Sequence, residues 1–181
     1  MKQNNLKALI LSALFTAFIA IFSQVTIPLP LIPMTGQTFA VALAATILGK
    51  KYGTISVLLY ILIGAVGMPV YAQMLSGPGI LFGPTGGYLF SFIAVAYIIG
   101  WYLEKKPFTF MNAMIANMIG VVINLAIGTI WLKYYGSYSW GAAISAGAVP
   151  FIIVGILKGA LASYLGYEIK KRLARARLLP A

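Results

Sequence analysis

Cysteine, histidine and aspartate are absent from this sequence, and the only acidic residues are Glu104 and Glu168. Each absence removes a class of chemistry. Without thiols or imidazoles there is no disulfide framework, no Cys/His zinc site and no general base titrating near neutrality. Without paired carboxylates there is no glycosidase-type acid–base pair, no EF-hand and no two-metal centre. Proton relays through membrane carboxylates also lack parts, because both glutamates flank apolar runs rather than interrupt them. The expectation is a protein that is not an enzyme and carries neither cofactor nor metal. Charge is scarce as well: 8% of the 181 residues are charged, 61% are hydrophobic, and mean hydropathy is +0.96. A soluble domain is about 25% charged, so water is not the solvent for most of this surface.

What is present is a series of apolar runs, and a helix needs about 20 apolar residues to cross a bilayer. The reading is an all-α polytopic membrane protein in a cell membrane, one domain with six transmembrane helices. The spans are about 8–25, 37–48, 52–72, 86–103, 108–132 and 148–167, and 168–181 forms a basic cytoplasmic tail. Between the first two runs, "TIPLPLIPMTGQ" holds Pro28, Pro30 and Pro33, which a helix interior does not tolerate, so it is an extended connection. The run 37–48 makes a helix of only roughly 18 Å and is expected to be buried among the others.

Six spans put both termini on one side, and the basic residues agree. Lys2, Lys7, Lys50, Lys51, Lys105, Lys106, Lys170, Lys171, Arg172, Arg175 and Arg177 share one side, eleven of the thirteen Lys and Arg. Lys133 lies on the other, and Lys158 lies inside the sixth run. Cytoplasmic loops carry the excess of Lys and Arg, which gives N-in and C-in. The net charge of +11 is sorted by membrane side rather than gathered on a soluble face, which argues against nucleic acid as a partner. Trp131, Tyr134, Tyr135, Tyr138 and Trp140 are expected at the outer interface, with Trp101 and Tyr102 at the inner one.

Lys158 is the most informative residue. It lies roughly 12 Å along the helix from Pro150, and a lysine at that depth costs several kcal/mol unless paired, hydrated or neutral. A ligand carboxylate could supply the missing counter-charge; snorkelling, or hydrogen bonds to backbone carbonyls, would be the structural alternatives. Asn117 and Asn124, seven apart, share one face of the fifth span, where they either glue helices together or contact a ligand. Thr35 and Gln37 open the second span, where they cap the helix or face a cavity. Ala13 and Ala17, four apart in "ALFTA", with Ala8 and Ala20 near, offer a close-packing surface. "LFGPTGGYLFSF" is not a phosphate loop, because Gly83, Gly86 and Gly87 are followed by Tyr88 rather than lysine. Thr85, Gly86, Gly87 and Tyr88 instead suit a sharp turn close to a ligand.

Two quoted stretches, "PLPLIPMTGQTFAVALAATILGKKYGTISVLLYILIGAVGMPVYA" and "GPTGGYLFSF", resemble the BioY family over about residues 8–158. These are biotin-binding S components of energy-coupling-factor (ECF) transporters. The resemblance implies six helices, an outward site for biotin, and partnership with a transmembrane scaffold and two ATPase subunits. It implies that Lys158 meets the biotin carboxylate, that Gly83–Tyr88 is the family's GP[ST]GGY motif, and that Ala13 and Ala17 dock on the scaffold. The segment from Thr26 to Gly36 corresponds to the lid. The sequence departs from the family in three places: Gly155 stands where an aspartate is common, Leu89 where an arginine occurs, and "SGPG" lacks an asparagine. The alternative reading is a stand-alone channel or facilitator for a small anionic solute.

Overall fold

The computed structural model describes residues 2–176 and residue 178, with side chains from residue 5 onward. Arg177 and residues 179–181 of the expected tail, and the side chain of Lys2, lie outside the described residues.

The chain is helical, as its apolar runs require. Helix α1 (Lys2–Gln24) leads through a two-residue ladder, β1 (Thr26–Ile27) antiparallel to β2 (Met34–Thr35), into α2 (Gln37–Ala65). A 3₁₀ turn (Ala72–Met74) and the short α3 (Pro78–Leu81) precede α4 (Gly86–Lys105). Then come α5 (Phe110–Tyr135), α6 (Trp140–Gly147) and α7 (Val149–Arg175). Five helical stretches among the described residues are long and apolar enough to cross a membrane.

One of these five, α2, is a hairpin rather than a rod. Gly49 has φ 77° and ψ −174°, a region open only to glycine. The backbone reverses there, so that the Gly53 Cα approaches the backbone of Ala44 and Ala45, which a straight helix would hold about 12 Å away. Glu104 secures the turn. One of its carboxylate oxygens accepts the Lys50 N–H at 2.9 Å, and the other lies 3.3 Å from Lys50 Nζ. The arm 37–48 is buried without a break from Phe39 to Ile47, as its shortness requires.

Boundaries differ from the sequence reading in three places. The expected span 52–72 stops as a helix at Ala65; the chain turns on Gly67 (φ 106°) ahead of Pro69. The loop that follows is held to the end of α1: Ser23 Oγ donates to the Val70 carbonyl at 2.6 Å, and Gln24 Nε2 to that of Tyr71 at 2.9 Å. The expected span 148–167 continues as helix α7 to Arg175, so the first part of the expected tail is helical. The expected fifth span, 108–132, forms helix α5 over 110–135.

The core lies between α2, α4, α5 and the lower half of α7, built from small and branched residues such as Ala40, Val57, Ala96, Ile99 and Ala116. Basic side chains gather at one end. Besides the Lys50–Glu104 pair, Lys170 Nζ donates to the Thr46 carbonyl at 3.2 Å and sits 4.5 Å from the centre of the Phe108 ring. The opposite end holds the proline segment, the 66–77 loop and the glycine motif, and these enclose a cavity.

Candidate binding cavity

The cavity has a volume of about 450 Å³, within the usual range for small-molecule sites. Its roof is Leu29–Pro33, the tip of the β1–β2 hairpin. The ladder pairs Thr26 with Thr35 and Ile27 with Met34, which fixes both ends of the tip, and Ile32 packs inward with Tyr88 and Leu132. The walls come from the first arm of α2, the 71–75 loop, and helices α4, α5 and α7.

Seven of the nine residues expected to bind a ligand line this space: Thr35, Gln37, Thr85, Tyr88, Asn117, Asn124 and Lys158. They come from segments up to 123 residues apart. Gly86 and Gly87 are the exceptions. They face away, where a Cβ on Gly87 would run into the Trp131 side chain and one on Gly86 into the Leu81 carbonyl. Their bareness lets α4 seat against α5. Trp131 donates its indole N–H to the Gly83 carbonyl at 2.9 Å and stacks obliquely on Phe90. It buttresses the glycine corner.

Lys158 reaches across the cavity to the hairpin. Its Nζ donates to the Thr35 carbonyl at 2.6 Å, which is one of the two structural alternatives to a ligand carboxylate. An ammonium has three donors, and this bond uses one. No carboxylate stands near it: among the described residues the one ion pair is Lys50–Glu104. The arrangement is a cation with donors to spare, facing an enclosed and mainly apolar space.

Gln37 and Thr35 are otherwise occupied with each other. The Thr35 hydroxyl donates to Gln37 Oε1 at 2.8 Å and accepts the Gln37 N–H at 3.3 Å. Gln37 Nε2 donates to the Tyr60 hydroxyl. The N-cap of α2 is Gly36, without a side-chain cap bond, so Thr35 is not the cap expected; it bonds Gln37 at the start of the helix and contributes its carbonyl to the cavity. Gln37 lines the wall with its polar ends already bonded. Tyr88 contributes a ring, not a hydroxyl. The ring fits against the bare Cα of Gly128, tilts toward Phe151, and its O–H turns outward to the Gly147 carbonyl at 2.7 Å.

Asn117 does what a helix-gluing asparagine does: its Nδ2 lies 3.1 Å from Thr46 Oγ1 and Ser163 Oγ, between α2 and α7, and 2.9 Å from the Ala113 carbonyl of its own helix. Asn124 Nδ2 donates to Ser91 Oγ at 2.6 Å on α4. Both also border the cavity.

Sequence reasoning missed much of the apolar lining. Phe92, Val95 and Ile99 follow Tyr88 at helical spacing on α4, and Phe151 and Val154 do so ahead of Lys158 on α7. The 3.6-residue period would have found them once Tyr88 and Lys158 were fixed as inward-facing. The 71–75 loop had no such signal, because its place depends on the Ser23 and Gln24 contacts with a distant segment.

Of Ala13 and Ala17, neither touches the cavity; both are exposed on the outer face of α1, beside exposed Leu9, Ile10, Leu14 and Ile21. Ala8 is fully buried and so belongs to the opposite face.

The BioY family model matches residues 1–175. A biotin transporter, BioY2, of Lactococcus lactis subsp. cremoris is 38% identical over 174 residues, covering 96% of either chain. The biotin transporter BioY of Thermotoga maritima is 41% identical over 166 residues, covering 92% of this chain and 97% of that one. A crystal structure of the S-component for biotin from an ECF-type ABC transporter superposes with TM-score 0.86 at 27% identity, covering 94% of each chain.

Proposed function

The chain belongs to the BioY family, and from that premise we propose that it captures biotin as the S component of an ECF-type uptake transporter in the cell membrane. The observation that carries this reading is Lys158, a lone cation with free donors in an enclosed apolar cavity. Biotin is an apolar fused ring with a carboxylate at the end of a flexible chain, and it complements such a site at both ends. The carboxylate meets Lys158, at the base of the hairpin. The rings lie among Tyr88, Phe92 and Phe151.

The finer topology follows from the same reading. The hairpin of α2 gives two membrane arms, 37–48 and 50–65, and so six segments in all. The end rich in Lys faces the cytoplasm, both termini lie there, and the cavity faces outward. The tip Leu29–Pro33 is the lid. It lifts about the short β1–β2 ladder, while the 66–77 loop stays fixed by its bonds to Ser23 and Gln24. The chain has no nucleotide motif, so a scaffold subunit and two ATPase subunits supply the energy. Ala13 and Ala17 give the scaffold a flat place to pack on α1.

The test is a biotin titration of the purified protein in detergent, repeated with Lys158→Ala. Saturable binding at or below micromolar biotin, weakened by the substitution, is expected. No binding by the unaltered protein would sink the proposal. Uptake that persists when the ATPase subunits are removed would point instead to a facilitator.

A further inference from the structure

The cavity has a cation at one side, and the hydrogen-bond polarity of its α5 wall is fixed just as firmly. Ser91 Oγ donates its single proton to the Tyr88 carbonyl at 2.7 Å. A carbonyl cannot donate, so this bond leaves Ser91 Oγ only as an acceptor toward Asn124, 2.6 Å away. The Asn124 amide therefore turns its NH₂ to Ser91 and its oxygen the other way. No protein group among the described residues donates to that oxygen, and it is not sealed from the cavity. Asn124 is 6% exposed, so the little surface it keeps is within the site.

The same logic holds two helical turns deeper. Thr46 Oγ1 donates to the Ala42 carbonyl and Ser163 Oγ to that of Gly159. Asn117 Nδ2 shares its two protons among these hydroxyls, each at 3.1 Å, and the Ala113 carbonyl at 2.9 Å, and Asn117 Oδ1 is left without a partner among the described residues. Asn117 is 1% exposed and its oxygen is fully covered, so Asn124 is the one a ligand reaches. Gln37 is already engaged at both ends of its amide, Oε1 accepting from Thr35 and Nε2 donating to Tyr60, whereas among the described residues no protein group donates to the Asn124 oxygen.

We infer that Asn124 is a specificity-determining residue whose carbonyl oxygen accepts an N–H from the ligand's polar ring, and that Ser91 is the positioning residue that aims it. A buried acceptor left without a donor costs free energy, so a ligand with an N–H there is favoured over an isostere without one. This rests on the biotin reading, whose ureido ring carries two N–H groups. It also identifies a group that can hold that ring in a chain where Gly155 and Leu89 stand at two polar positions of the family pattern.

The experiment uses biotin and its two lactam analogues, each with one ureido N–H replaced by CH₂. They are titrated against the full-length protein in detergent, and against Asn124→Ala and Ser91→Ala. For the unaltered protein one analogue is expected to bind about 10- to 100-fold more weakly than biotin. Asn124→Ala is expected to weaken biotin by a similar factor and to abolish that analogue's penalty. Ser91→Ala, which frees the amide to rotate, narrows the penalty; it carries the test alone if Asn124→Ala does not purify folded. A penalty of the same size in both variants, or analogues that bind the unaltered protein as tightly as biotin, would overturn the inference while leaving the biotin reading intact. Failure of the unaltered protein to bind biotin would overturn both.

Discussion

The Lys158 ammonium lies 2.6 Å from the Thr35 carbonyl oxygen, so the residue proposed to receive the ligand's charge also touches the base of the β1–β2 hairpin. A carboxylate arriving at Lys158 adds charge-assisted bonds in an enclosed site, where such bonds are strong. It also bears on the strand that fixes one end of the hairpin tip. Removing the lysine should therefore affect binding of the charged ligand selectively. Lys158→Ala is expected to weaken biotin by about 100-fold or more, in line with the loss of a buried charge pair. It should change binding of biotin methyl ester by less than about threefold. Calorimetric titration of both ligands checks this, and an equal loss for both would show that the lysine acts on the fold instead.

The hydroxyl of Tyr88 is predicted to be dispensable for the ligand. It bonds to Gly147 on α6, outside the cavity. Tyr88→Phe should lower stability by about 1 kcal/mol and leave the biotin dissociation constant nearly unchanged. Tyr88→Ala removes the ring from the wall and should weaken binding at least tenfold. Thermal melts in detergent, read beside the titrations, separate the two effects.

Gly128 admits the Tyr88 ring, and any side chain there would occupy the ring's place. Gly128→Val is expected to push the ring into the cavity and destabilise the protein by about 2–3 kcal/mol. Both a lower melting temperature and loss of biotin binding should follow.

Gly49 turns the chain back at the basic end with φ 77° and ψ −174°. A Cβ there would stand 2.8 Å from a Glu104 carboxylate oxygen. Gly49→Ala should cost about 1–3 kcal/mol from the backbone conformation alone. Glu104→Gln keeps an oxygen for the Lys50 N–H but loses the ion pair, so it should cost less than about 1 kcal/mol. Chemical or thermal denaturation of the two variants gives the order.

Ala13→Leu together with Ala17→Leu is predicted to spare folding and biotin binding, because both side chains are exposed on α1. The pair should reduce co-purification with the scaffold subunit and reduce biotin uptake by intact cells. Normal uptake by the double variant would remove this face from consideration as the docking surface.

Much of this molecule was legible in the sequence because the relevant signals are local. The apolar runs located the helices, the three prolines located the extended connection, and Lys158 stood out because a charge in an apolar run needs a reason. The third span was drawn past Ala65 because Met68, Val70, Tyr71 and Ala72 are apolar enough to extend it. What ends it is a backbone turn at Gly67 and bonds to Ser23 and Gln24, neither of which hydropathy records. Gly86 and Gly87 looked like a surface for the ligand because glycine permits close approach. The approach is real, but the neighbours are Trp131 and Leu81.

By itself, the sequence determined the class of the protein, the apolar runs long enough to cross a membrane, and the list of polar groups available to a ligand. Those properties follow from composition and period, which each segment carries alone. Only the tertiary structure decided which polar groups are still free. Gln37 is engaged by Thr35 and Tyr60, the Tyr88 hydroxyl by Gly147, the Asn117 amide nitrogen by Thr46, Ser163 and its own helix at Ala113, and one N–H of Asn124 by Ser91. Lys158 keeps donors and Asn124 keeps an acceptor. A hydrogen bond has a direction and a limited number of places, so what remains for a ligand is known only after the partners, many of them tens of residues away in the chain, have taken theirs.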